Sequence, residues 1–265
     1  MPYIRVNGIK IAFDTYGDMN KKPLFLVHGM GVQRMGFDEI IPGLTKDRFV
    51  ICYDTRGHGQ TTKPAAFNMD DHMNDLCGMI EAFGYEKADV FGLSMGSYIT
   101  LYTLCHKPQY IDKAILCVSK AGDDGNGSST ARLMKEAGYE WGKAPMEVVS
   151  KVINDALFAP TTTPEQRAAF SAITGPNYVP LTAEDRAAAN ASMVGWNCKP
   201  YLKDIQQKVL VLSGKYDGIN PPEIEGQPLA DGIPNSSFVV LQHSGHMPHK
   251  EEPEALVAAV NDFLI

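Results

Sequence analysis

Short, almost uninterrupted apolar runs recur along this chain, and helix-length amphipathic stretches separate most of them. The runs PLFLVHG, RFVICYD, ADVFGLS, KAILCVS, KVLVLSG and SFVVLQ lack the apolar–polar alternation of a half-exposed strand. Such runs suit strands covered on both faces, as in a parallel sheet. The opening segment differs. YIRVNGIKIAFDTYG alternates, and Asn7-Gly8 divides it, which predicts a hairpin with a two-residue turn. Asn68 stands where it can cap MDDHMNDLCGMIEAFG, Met95 to Lys107 carries a second helical pattern, and PHKEEPEALVAAVNDFLI predicts a closing helix. Strand alternating with helix implies an α/β fold with a mostly parallel sheet.

One interval breaks this rhythm. From about Gly122 to Asp204 no strand pattern occurs, only helical segments divided by Pro and Gly. SSTARLMKEAGYEW, PMEVVSKVINDALF, TPEQRAAFSAI and TAEDRAAANASMVGW each space apolar residues three and four apart. The expected organisation is a core of residues 1–121 and 205–265, interrupted by a helical cap over 122–204. Two separate domains are the alternative, but the strands after the interval need the first half's sheet to cover both their faces.

Composition narrows the class. At 265 residues and 44% hydrophobic content the chain can bury one large core. A formal charge of −7, without a Lys/Arg-rich run, argues against nucleic acid. MPYIRVNGIK lacks the basic start and apolar stretch of a signal peptide, and no apolar run approaches the ~18 residues of a membrane span. A soluble cytoplasmic protein, as monomer or homodimer, is therefore expected, with no membrane partner. Cys52, Cys77, Cys105, Cys117 and Cys198 are odd in number and unpaired in spacing, as expected of free, mostly buried thiols.

Chemistry concentrates in GLSMG, residues 92–96, where an apolar run meets a helical pattern. A strand that ends in a serine and turns at once into a helix brings the residues two before and two after it together, and only very small residues fit there, here Gly92 and Gly96. The turn would lift the Ser94 hydroxyl clear of the sheet, with helix N–H groups pointing at it. An ordinary turn with a capping serine is the simpler account of the five residues alone. A serine nucleophile needs a base and a carboxylate to orient that base. LSGKYDG places Asp217 just after one apolar run, and LQHSGHMPH places His246 just after the next. Asp123 and Asp124, after KAILCVS, compete for the acid's role. His243 and His249 share three-residue spacings with His246, as metal ligands can, but Gly245 and Pro248 break any helical register between the rings. For the oxyanion of an acyl transfer, the backbone N–H of Met95 is one candidate donor. Met30, in the HGMG loop, supplies the second, unless that loop is only a structural glycine turn.

LVHGMG, YDTRGHGQT, GLSMGS, VLVLSGKYDGINPP and SGHMPHKEEPEAL together resemble the α/β-hydrolase superfamily, most of all its small capped esterase and 3-oxoadipate enol-lactonase branch. The order Ser94, Asp217, His246 is that family's order of nucleophile, acid and base. The resemblance implies an α/β-hydrolase fold and a cofactor-free serine hydrolase acting on an ester or lactone of a small to medium, partly apolar substrate. It also implies that Asp54, Arg56 and His58 build a rim loop and that His28 shapes the loop after the third strand. Ser94 rather than Asp sets the chain apart from haloalkane dehalogenases and epoxide hydrolases. Met247 departs from the Trp usual in carbon–carbon bond hydrolases, Met30 from the Trp of cofactor-free haloperoxidases, and Ser97 from the Gly of many enol-lactonases. Gly96-Ser97 is shared with prolyl iminopeptidases, whose Gly-Gly-rich loop is missing here. A carbon–carbon bond hydrolase, or a ligand sensor of the same fold with slow turnover, are the alternatives. Arg34, Trp141 and Trp196 are the candidate substrate contacts, with a solvent-exposed role the alternative for Arg34 and helix packing for the tryptophans.

Overall fold

Asn7 and Gly8 turn the chain with positive φ angles of 48° and 77°, the geometry that lets two strands close on a two-residue loop. A computed structural model describes residues 2–123, 129–140, 142–172 and 177–265. The strands are β1 (Tyr3–Val6), β2 (Ile9–Tyr16), β3 (Pro23–Val27), β4 (Phe49–Tyr53), β5 (Ala88–Leu93), β6 (Ile111–Cys117), β7 (Lys208–Gly214) and β8 (Ser236–Leu241). They form one sheet in the order β1-β2-β4-β3-β5-β6-β7-β8. The first two pairings are antiparallel and the rest parallel. This is the α/β-hydrolase fold expected from the motifs.

Helices among the described residues are α1 (Ile41–Leu44), α2 (Met69–Ala82), α3 (Met95–His106), α4 (Ser129–Glu136), α5 (Met146–Leu157), α6 (Pro164–Ser171), α7 (Ala183–Ala191), α8 (Gln227–Gly232), α9 (Pro248–Glu251) and α10 (Pro253–Leu264). Asn68 caps α2 by accepting from the Asp71 N–H, and Asp71 accepts from the Asn68 N–H in return. The closing segment is not one helix but two: Pro253 has no N–H to carry α9 onward, so α10 starts there.

The apolar runs fill two cores, because successive strand residues face opposite sides. Phe25, Val27, Ile51, Val90 and Leu116 pack with Leu76, Met79 and Ile80 of α2 and Ile99 of α3. Leu24, Leu26, Val50, Phe91 and Ile115 pack on the other side with Leu256, Val260 and Leu264 of α10. A run buried on both faces is what its lack of alternation predicted.

Helices α4 to α7 lie between β6 and β7 in the chain, yet β6 and β7 are neighbours in the sheet. The strands after the helical interval therefore complete the sheet of the first half. At the interval's base the Gly122–Asn197 antiparallel bridge joins its two ends. Thr163 and Thr182 cap α6 and α7 through their side chains. Along the sheet, the connection from β3 runs to β4 on one side while β5 lies on the other. Loops after β3 and β5 thus face each other across the point where strand order reverses, the usual place for a ligand crevice in such sheets.

Candidate active site

From Ala88 to Leu101 every residue is buried except Ser94. The exception is made by backbone geometry. Ser94 caps α3 with φ 50° and ψ −116°, a sparsely populated conformation costing about 1–3 kcal/mol. The tightness of the turn explains its glycines. A Cβ on Gly92 would overlap the Gly96 carbonyl, and one on Gly96 would overlap the Val27 carbonyl at the end of β3. Both obstacles are backbone, so no side-chain rotation relieves them.

The hydroxyl so exposed meets a continuous hydrogen-bonded chain. His246 Nε2 lies 2.8 Å from Ser94 Oγ, and His246 Nδ1 lies 2.9 and 2.8 Å from the two oxygens of Asp217. Asp217 Oδ1 also accepts from the backbone N–H groups of Ile219 and Asn220, both at 2.9 Å. With His246 6% exposed and Asp217 2%, the pair is largely shielded from water. Asp123 is not the imidazole's partner; it stands at the base of the helical interval, its N–H donating to the Trp196 carbonyl. Asp124 lies outside the described residues. His243 is exposed, and His249 is buried against Phe37, so the three histidines of HSGHMPH occupy different surroundings.

The loop after β3 is organised by histidines. His28, fully buried, accepts the Thr55 N–H at Nε2 (2.9 Å) and donates from Nδ1 to the Gly29 carbonyl (2.8 Å). His58 Nε2 accepts the Gly31 N–H at 3.2 Å. Burial lowers the pKa of His28 to about 4 and that of His58 to about 3, so both are neutral acceptors at neutral pH. Among the described residues no backbone carbonyl accepts the Met30 or Met95 N–H, which leaves one donor in each of the loops that meet at Ser94.

Arg34 corrects the sequence reading, which placed it at the substrate or in solvent. It is 1% exposed, its Nε donating to Asp14 at 2.6 Å and its Nη1 to Asp54, while its N–H donates to Asp54 Oδ1 at 2.9 Å. The chain after HGMG dips inward, and these two carboxylates allow the guanidinium to be buried. Arg56 makes a similar fork with Asp75 at 2.8 and 2.7 Å. Asp54, Arg56 and His58 are thus all engaged in holding loops. Trp196 is 4% exposed and stacks on Tyr98 with centroids 5.2 Å apart; Trp141 lies outside the described residues.

Two supporting residues escaped the sequence reading. Asn220 is fully buried and donates at 2.7 Å both to Tyr98 Oη and to the Val118 carbonyl, so it fastens the Asp217 loop to α3 and to the end of β6. Glu251 accepts from the Gly245 N–H (2.7 Å) and the Ala159 N–H (2.8 Å), joining the His246 loop to the helical interval. Their only signal is proximity in sequence to Asp217 and His246. An open hollow of about 410 Å³ lies between α4, α5 and the acid's loop, where Tyr216 and Gly218 line it, and is not lined by Ser94 or His246.

Residues 22–170 match the sequence model of the alpha/beta hydrolase fold family. The chain belongs to the α/β-hydrolase family. A 3-oxoadipate enol-lactonase of Acinetobacter baylyi is 24% identical to it over 97% of this chain and 94% of that protein. A proline iminopeptidase of Heyndrickxia coagulans is 25% identical over 99% and 97%. Among solved structures, a thermophilic esterase from Thermogutta terrifontis superposes with a TM-score of 0.83 at 26% identity, covering 100% of this chain and 98% of the other. The protein is accordingly a hydrolase-fold enzyme related to enol-lactonases, proline iminopeptidases and esterases. Among the described residues of this α/β-hydrolase no helix is long and apolar enough to cross a membrane.

Proposed function

We propose that the protein is a serine hydrolase of esters or lactones, with Ser94 as nucleophile, His246 as base and Asp217 as the acid that orients it. The observation carrying this reading is the unbroken hydrogen-bonded chain from Ser94 Oγ through the imidazole to Asp217. With Nδ1–H donated to Asp217, the Nε2 lone pair faces the serine. As Oγ attacks the carbonyl carbon, its proton passes to Nε2, and Asp217 stabilises the imidazolium. Negative charge gathers on the former carbonyl oxygen, where the N–H groups of Met30 and Met95 are the proposed donors. Collapse expels the alkoxide, which takes the proton from His246; in a lactone this alcohol stays attached to the acyl chain. Water, deprotonated by the same imidazole, then releases the acid. No cofactor takes part in these steps.

In the same reading, residues 122–204 are a cap over a core of 1–121 and 205–265. Its contacts support this: the His246 N–H donates to the Leu157 carbonyl at 2.7 Å, and the Gly218 N–H to Ala156 at 3.0 Å. The loops bearing base and acid therefore rest on the end of α5. Substrate preference would then follow from this insertion.

A fluorophosphonate, whose tetrahedral adduct resembles the acyl-transfer transition state, tests the assignment. One label per chain is expected, on Ser94, and His246→Ala should abolish it, since truncating such a base costs roughly 10⁶ in rate. A label on Ser97 or Ser119, or undiminished labelling in His246→Ala, would remove the basis for the proposal.

A further inference from the structure

Gln33, in the loop after β3 and close in sequence to Met30, is 1% exposed, and its amide reaches across 146 residues to the helical interval. Its Nε2 donates to the Val179 carbonyl at 2.6 Å, and its Oε1 accepts the Val179 N–H at 3.2 Å. One side chain thus grips both polar groups of one residue, as a hydrogen-bonded partner in an antiparallel ladder does. Gln33 stands at the N-cap of the short helical turn Arg34–Phe37 but does not cap it; the amide is turned to Val179 instead.

Other hydrogen bonds of this loop run to itself or to the core. The Val32 N–H donates to the Gly29 carbonyl at 3.2 Å, the Gly31 N–H to His58 and the Arg34 N–H to Asp54. Gln33 adds a hold from the interval. The chain around Val179 leads into α7, which is itself seated at both ends: Lys63 Nζ lies 4.0 Å from Asp185 in its first turn, and His72 Nε2 lies 3.2 Å from Ser192 Oγ just past its last. If Val179 moved away alone, both bonds would break and a buried amide would be left without partners, which is unfavourable. The position of this segment and that of the loop are therefore coupled.

Resting on the reading of Ser94 as nucleophile and of the Met30 N–H as an oxyanion donor, we propose that Gln33 is a positioning residue for the reaction: by gripping Val179 it sets the turn that carries the Met30 N–H, so that the oxyanion site is assembled only when the segment before α7 is seated. Gln33 acts through the loop rather than on the substrate. Transition-state stabilisation thereby depends on the insertion.

p-Nitrophenyl butyrate and phenylboronic acid test this, the second because its tetrahedral adduct with Ser94 places an oxygen where the oxyanion forms. Gln33→Met keeps the length of the side chain and removes both hydrogen bonds. With folding checked by circular dichroism, it should lower kcat/KM about 10- to 100-fold, less than the roughly 10²–10³ of a donor removed outright, and weaken inhibition by phenylboronic acid by a similar factor. Gln33→Glu supplies a readout that packing alone would not move. Ionised, the introduced carboxylate accepts the Val179 N–H but opposes the Val179 carbonyl; protonated, it both donates and accepts, as the amide does. Its kcat/KM relative to wild type should therefore rise about fivefold or more as pH falls from about 8 to about 5.5, since burial raises a carboxyl pKa, whereas the ratio for Gln33→Met stays flat. A loss under about threefold in Gln33→Met, an unchanged boronate affinity, or a flat ratio in Gln33→Glu would each overturn the proposal. Should Gln33→Met fail to fold, the two protonation states of Gln33→Glu decide the matter within one chain. If fluorophosphonate does not label Ser94 in wild type, the hydrolase reading falls and the proposal with it; if it labels and the ratios stay flat, only the role of Gln33 falls.

Discussion

A single tautomer of His246 can serve Ser94, the one with Nδ1 protonated, and Asp217 is the group that selects it. Replacing Asp217 by Asn keeps the shape but offers an amide N–H where an acceptor is needed. The catalytic rate should fall by about 10⁴, the scale of a wrong-tautomer histidine. Asp123→Asn should leave activity near wild type, since Asp123 meets Trp196 through its backbone rather than the imidazole through its carboxylate. Steady-state kinetics on the two variants, with folding checked by circular dichroism, decides between them; a larger loss in Asp123→Asn would reverse the assignment.

At the scale of the element, the turn from β5 into α3 is a steric construction. Ser94 holds its conformation because α3 presses against the end of β3 at Gly96 and back against β5 at Gly92, with only hydrogen atoms in between. Gly96→Ala should therefore cost about 1–3 kcal/mol or more through overpacking against backbone, and should also slow labelling of Ser94. Gly84→Ala is the control. Gly84 has φ +82° and open space around its missing Cβ, so only the conformational penalty of about 1 kcal/mol applies there and Ser94 should label normally. Thermal melts of the two variants would separate crowding from backbone conformation; equal losses, or normal labelling in Gly96→Ala, would show that the turn can relax.

Over the whole molecule, four histidines are buried and held neutral. Burial brings His28 to a pKa of about 4 and His58, His72 and His249 to about 3. Unfolded, each titrates near 6.5. Between those limits only the unfolded state takes up the proton, so stability is full above about pH 7 and is lost as pH falls toward 4. From pH 7 to 5 each should remove about 1–2 kcal/mol, a large sum for a marginally stable fold. Urea denaturation at the two pH values measures this. His249, with neither ring nitrogen hydrogen-bonded among the described residues, isolates one share. His249→Leu should be no less stable at neutral pH and should lose about 1–2 kcal/mol less between pH 7 and 5. A pH dependence equal to wild type would show that His249 is protonated in the fold.

Chain order and local pattern determined all eight strands, the Asn7-Gly8 hairpin, the α2 cap, and the nucleophile turn, because each depends on residues close in sequence. Burial on two faces, φ > 0 at a turn, and glycine at a close approach leave local marks. Asp217 and His246 were legible for the same reason, as residues just past strand ends. Only the tertiary structure decided what depends on distant partners. Arg34 looked free because Asp14 and Asp54, which bury it, lie 20 residues away on either side. Asn220 and Glu251 tie loops across separations of 102 and 92 residues, and no local pattern records which carbonyl or N–H waits at the other end.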